Sequence, residues 1–103
     1  VNVRSKTTMS TYTVRVELHS DQYNPDFETL HRAMQSEGFS KLITSDDGKT
    51  YHLPRGEYNI STNKDRPQVL DATKRAVAVT RQSGEILVTE SAGRTWSGLT
   101  EKK

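Results

Sequence analysis

Cysteine is absent from the 103 residues. Disulfide scaffolds, thiolate zinc sites and cysteine nucleophiles are thereby excluded, and the absence fits a reducing compartment. No apolar run reaches the roughly 18 residues that a membrane-crossing helix needs. No Arg-rich start followed by an apolar stretch is present, so no secretory signal is expected. The phosphate loops GxGxxG and GxxxxGK[ST] are missing, as are the metal spacings HxH and HExxH. Aromatic residues are few, with a single tryptophan. Apolar residues make up only 31%, so the core must be small and use nearly every apolar position. The length predicts one domain.

An excess of one charge is lacking too. Fifteen basic residues stand against 13 acidic ones, a net of +2. Two of the basic residues, Arg4 and Lys6, lie in VNVRSKTTMS, and without that segment the balance is 13 to 13. A neutral body gives no general support to nonspecific nucleic-acid binding, which rests on many Lys and Arg contacts to phosphate. A local patch remains open. Met9 followed by STYTV reads as a start, so residues 1–10 are expected to be a mobile tail, 11–99 the domain, and 100–103 a frayed end.

In YTVRVEL, Tyr12, Val14, Val16 and Leu18 alternate with Thr13, Arg15 and Glu17, which is a strand with one buried face. SDQYNP is turn chemistry. Phe27, Leu30, His31 and Met34 then fall on one helical face, and Gly38 stops that helix, with Phe39 folding back onto it. SKLIT (40–44) and KTYHL (49–53) predict two short strands around the turn SDDG. Pro54 and Gly56 interrupt the second strand, and EYNIS (57–61) resumes it. Asp65 and Gln68 make a capping box, with Pro67 in the first turn of a second helix. Val69, Ala72, Thr73, Ala76, Val77 and Thr80 line its inner face, QSG ends it, and EILVT (85–89) is the last strand. The order βαββαβ predicts an α+β, ferredoxin-like fold: a four-stranded antiparallel sheet with both helices on one face. The strand at 49–53 is then expected beside the first strand. The open sheet face needs a cover, whether water, the C-terminal tail, nucleic acid or a second copy.

Several residues invite chemistry. Arg15, Glu17 and His19 share the open face of the first strand, and His52 is expected to join them from the third. That set reads either as a site or as solvated cross-strand pairs. His31 reads as a core histidine, and Asp46 and Asp47 as turn residues before glycine. Asp21, just past the first strand, is placed to bind a divalent metal such as magnesium, to activate water, or merely to stabilise a turn. Ser91 lacks the GxSxG setting of a nucleophile. After it, Arg94 and Trp96 present a guanidinium beside an indole. That pairing suits phosphate plus base stacking, a protein hot spot, or a tail pinned by its tryptophan.

Read together, TYTVRVELH, ITSDDGKTYHLP, EYNIS and LVTESAGRTW resemble the family of small bacterial proteins grouped with GhoS, the antitoxin of a type V toxin–antitoxin system. The resemblance covers about residues 10–99. It implies a fold similar to the small CRISPR-associated ferredoxin-like endonucleases. It also implies a cytoplasmic protein that cleaves a toxin messenger RNA rather than binding the toxin. In the CRISPR-associated relatives an acidic residue near the end of the first strand is the proposed metal ligand, and Asp21 is the nearest match. The expectation is thus an RNA-binding, RNA-cleaving regulator. Asp21 or His19 would serve as base, and Arg15, His52, Arg94 and Trp96 would hold RNA or a partner. The alternative is a non-catalytic interaction module, such as a homodimer acting on a nuclease or toxin. A small-molecule sensor is a third option. No membrane association is expected.

Overall fold

The computed structural model describes residues 5–19 and 25–103. Its elements are β1 (Ser5–His19), α1 (Phe27–Ser36), β2 (Leu42–Thr44), β3 (Thr50–His52), β4 (Glu57–Lys64), α2 (Arg66–Val79) and β5 (Ser83–Glu90). The result is a mixed α+β fold. Antiparallel strands β4, β1 and β5 form one sheet in that order, and β2 and β3 form a separate hairpin. Among the described residues no helix is long and apolar enough to cross a membrane. The first strand begins at Ser5, inside the stretch expected to be a tail.

The alternation in β1 sets the layers. Tyr12, Val14, Val16 and Leu18 are buried and meet Phe27, Leu30, Ala33 and Met34 of α1 and Val69, Ala72, Ala76 and Val77 of α2 in one core. Tyr58 of β4 is buried with them, and Ile60, Ile86 and Val88 pack against the cluster from the flanking strands. The register follows the same parity: Tyr12 pairs with Ile60, and Val14 with both Tyr58 and Val88. The opposite face carries Thr11, Thr13, Arg15, Glu17 and His19.

Local chemistry fixes the helix ends. Asp26 caps α1 by accepting from the Thr29 N–H at 3.1 Å, and Gly38 stops the chain at φ +97°. Phe39 folds back as expected, its N–H donating to the Met34 carbonyl at 3.0 Å. The capping box of α2 is complete, with the Gln68 N–H on Asp65 and the Asp65 N–H on the Gln68 side chain, both at 2.9 Å. The stop of α2 differs from expectation. Arg81, at φ +60°, takes the left-handed position ahead of QSG. Arg75 clamps the end of α1 to α2 through a two-point bond to Glu37 at 2.9 and 3.2 Å.

The strand expected beside β1 is not the one found there. The segment 49–53 stays with its hairpin, and β4 pairs with β1 instead. Tyr58 and Ile60 place two apolar side chains against Val14 and Tyr12, whereas Thr50–His52 has only Tyr51 to offer. Pro54 and Gly56 separate the two strands rather than bend one. The C-terminal residues expected to fray are also paired. Thr100 accepts from the His52 N–H at 2.9 Å, the Lys102 N–H donates to Thr50 at 2.8 Å, and Glu101 bridges to Tyr51.

A polar knot joins the hairpin to the core. The Lys41 ammonium donates to the carbonyls of Pro54, Arg55 and Glu57, and lies 4.8 Å from the Tyr58 ring centre. Burial pushes this amine down to about 8, opposed by the Glu57 carboxylate. Burial likewise raises the Tyr58 phenol above its ordinary range. The phenol therefore keeps its proton, and it shares a hydrogen bond with His31 Nδ1 at 2.6 Å. Burial lowers the basicity of His31, and the charges of Lys41 and Arg55 add to that. The folded pKa therefore lies below the unfolded value of about 6.5. His31 contributes stability above pH 6.5, and that contribution is lost as pH falls through the folded pKa. We expect the melting temperature of the protein to drop more between pH 7.5 and 5 than that of His31→Gln. The corresponding loss of stability should stay below about 1 kcal/mol, since the ring is partly exposed and solvent screens it. Parallel pH profiles for the two proteins would refute the neutral-histidine arrangement.

Candidate nucleic-acid interface

The site is built by the segment after β5. The Ser91 N–H donates to the Thr11 carbonyl at 2.8 Å, so the chain leaves β5 still attached to β1. Gly93, at φ +155°, adopts an angle that a side chain would resist, and the segment then crosses the open sheet face. Arg94 reaches down onto that face. Its Nη1 donates to Asn59 Oδ1 at 2.6 Å and to Thr13 Oγ1 at 3.4 Å. Thr13 and Asn59 are cross-strand partners, so one guanidinium spans β1 and β4. Two residues on, Trp96 packs edge-to-face on Tyr51 of β3, with ring centres 5.6 Å apart. The segment ends by pairing residues 100–102 with β3. It is thus a strap from the sheet to the hairpin, tied at both ends.

Between strap, hairpin tip and sheet lies an open cleft of about 540 Å³. Arg94 and Trp96 form one wall, Tyr51 and Thr44 the other, and Asp46 and Asp47 stand at the rim. Asp47 accepts from the Ser45 hydroxyl and from the Lys49 N–H, the two bonds that hold its carboxyl below the usual range. It is a turn residue, as its position before Gly48 predicts. Asp46, at the same rim, adds a second carboxylate to the cleft. Arg94 uses Nη1 on the sheet, which leaves Nε and Nη2 for a ligand.

The other end of the open face carries the rest of the expected set. Arg15 pairs in register with Glu57 on one side and Leu87 on the other, and Glu17 lies opposite Glu85. His19 Nε2 sits 3.2 Å from Glu85 Oε2. His52 does not join them. It belongs to β3, opposite Leu42 and beside Thr100, because β4 took the place expected for its strand. Asp21 lies outside the described residues. Among the described residues no group of three or more His, Asp or Glu side chains comes together around a metal position. His19 lies six residue steps along β1 from Thr13, so the two ends lie about 20 Å apart at the rise of a strand.

Sequence reading assigns no site role to Tyr51, Asn59 or Lys41. A signal existed for Asn59: it lies between Tyr58 and Ile60, so any pairing of 57–61 with β1 turns it to the open face. For Lys41 there was none, because its partners are main-chain carbonyls placed only by the finished turn. No protein-family model matches the chain, and no curated protein matches it.

Proposed function

We propose that this protein binds single-stranded RNA across its open sheet face, as a cytoplasmic antitoxin-type regulator of the GhoS-like family. The observation that carries the reading is the cleft. It offers a guanidinium fixed by Asn59 at 2.6 Å beside two aromatic rings 5.6 Å apart. Arg94 takes a phosphate, and Trp96 and Tyr51 offer faces for stacking, which every base accepts. Asp46 accepts from an exocyclic base amine, the kind of contact by which a carboxylate reads cytosine. With acidic residues at the rim, the cleft suits few phosphates and accessible bases rather than a duplex backbone.

The reading extends to cleavage at the far end of the face. There Glu85 orients the His19 imidazole. His19 takes the proton of a ribose 2′-hydroxyl, and the freed oxygen attacks the neighbouring phosphorus. A cyclic phosphate forms as the 5′-oxygen leaves with the P–O bonding pair and gains a proton from water. Arg15 supplies positive charge four residues back from His19 on the same face of β1, about 13 Å away at the rise of a strand.

We read the architecture as a ferredoxin-like variant with β4 in the place of the third strand. The bridge from Ser40 to Asn59 supports this, since it sets the chain leading into β2 next to β4, where a fourth strand would lie.

The experiment is incubation of the purified chain with a mixed single-stranded RNA pool at low salt, with and without magnesium. We expect a retarded band that weakens with salt, and shortened RNA ending in cyclic phosphate. Absence of both a retarded band and products would remove the RNA reading.

A further inference from the structure

We propose that the protein forms a homodimer by pairing β5 with β5 of a second copy about a two-fold axis at Leu87. This inference is independent of the RNA reading. In the sheet β5 has one neighbour, β1. The Ser91 N–H points to β1, where it meets the Thr11 carbonyl, and the register runs unbroken from Ser83 to Glu90. In an antiparallel pair, alternate residues turn both main-chain groups to the same neighbour. Ser83, Glu85, Leu87 and Thr89 therefore bond β1, while Gly84, Ile86 and Val88 turn N–H and C=O outward. Among the described residues no strand pairs with that side. The strand has neither proline nor lysine and is eight residues long, and its only charges are Glu85 and Glu90.

The sequence of β5 selects the occupant and the register. With the axis at Leu87, the two Leu87 side chains meet on the open face, and Ile86 meets Val88 of the other copy twice on the helix face. Glu85 then faces Thr89, so no acid opposes an acid. Moving the axis to Ile86 would set Glu85 against Leu87 and leave Val88 opposite Gly84. Moving it to Glu85 would oppose two carboxylates. Setting Ile86, Leu87 and Val88 all against apolar partners, with no like charges opposed, is therefore a property of one register. Leu87 is 63% exposed in the single chain, a large apolar side chain that the pairing covers. The two-fold runs perpendicular to the sheet, so both copies keep their helices on one side and their open faces join.

The test uses the full chain. Light scattering over a micromolar concentration series should give twice the mass of one chain, and Leu87→Lys should give a single, folded chain whose melting temperature no longer depends on concentration. The chain has no cysteine, so Leu87→Cys introduces a unique thiol. At a non-hydrogen-bonded pair on the axis the two Cα atoms lie about 4.5 Å apart, inside the range a disulfide spans. Leu87→Cys should cross-link under mild oxidation, whereas Glu85→Cys, offset from its own copy by four residues, should not. A wild-type chain that stays monomeric throughout, or equal cross-linking of the two cysteine variants, overturns the proposal.

Discussion

Gly56→Ala is expected to destabilise the protein by about 3 kcal/mol and to lower its melting temperature by roughly 15 °C. The reason is a close approach of two backbones, not an unusual dihedral angle. The Gly56 carbonyl accepts from the Val16 N–H at 2.7 Å. A Cβ at position 56 would stand 2.4 Å from the Val16 carbonyl oxygen and 3.5 Å from the Phe27 ring. Neither side yields easily. Val16 lies in the central strand and pairs with Ile86 on its other side, so moving its carbonyl strains the ladder to β5. Moving residue 56 instead pulls the 54–57 turn off β1 and disturbs the carbonyls that hold Lys41. It also shifts Arg55, which stacks 4.4 Å above the Phe27 ring centre. Gly48→Ala is the control. Its left-handed φ of +89° carries strain but its Cβ meets no atom, so about 1 kcal/mol is expected. Urea denaturation of the two variants checks the contrast, and equal costs would falsify the close packing of the turn on β1.

The same turn explains where sequence reading succeeds and where it stops. The alternation of β1, the stop at Gly38 and the Asp65–Gln68 box are decided by neighbours a few residues apart, so they are legible in the chain. The choice between 49–53 and 57–64 as partner of β1 is not local. Both carry tyrosine and β-branched or polar residues in strand-like order. What separates them is that Tyr58 and Ile60 together complete a core also built by α1 and α2, a sum visible only after folding. The misplacement of His52 follows from that one choice. Arg94 and Trp96 stood out from composition, but their partners Asn59, Thr13 and Tyr51 come from three strands. The pairing of residues 100–102 with β3 had no periodic signal behind it.

The double variant Arg94→Ala/Trp96→Ala is expected to lose RNA binding by more than a hundredfold while remaining folded. Each half has its own magnitude. Stacking of a base on an aromatic side chain is worth about 1–3 kcal/mol, and a charge-assisted bond to phosphate roughly 1.5–3 kcal/mol. A tenfold change in affinity is about 1.4 kcal/mol, so each single variant should weaken binding tenfold or more. Arg94→Ala should also reduce the dependence of log affinity on log salt by about 0.7, the share of one phosphate on a single strand. Arg94→Lys should not restore binding. A lysine keeps the charge but lacks the planar fork that holds Asn59 with one nitrogen while offering two others. Stability should barely move with Arg94, whose two bonds lie on the exposed surface. Trp96 is half-buried and makes one ring contact, with Tyr51, so its removal should cost about 1 kcal/mol rather than the roughly 3 of a core tryptophan. Fluorescence titration with labelled single-stranded RNA at two salt concentrations, beside thermal melts of each variant, separates the effects. Unchanged affinity in the folded double variant would show that RNA does not use the cleft.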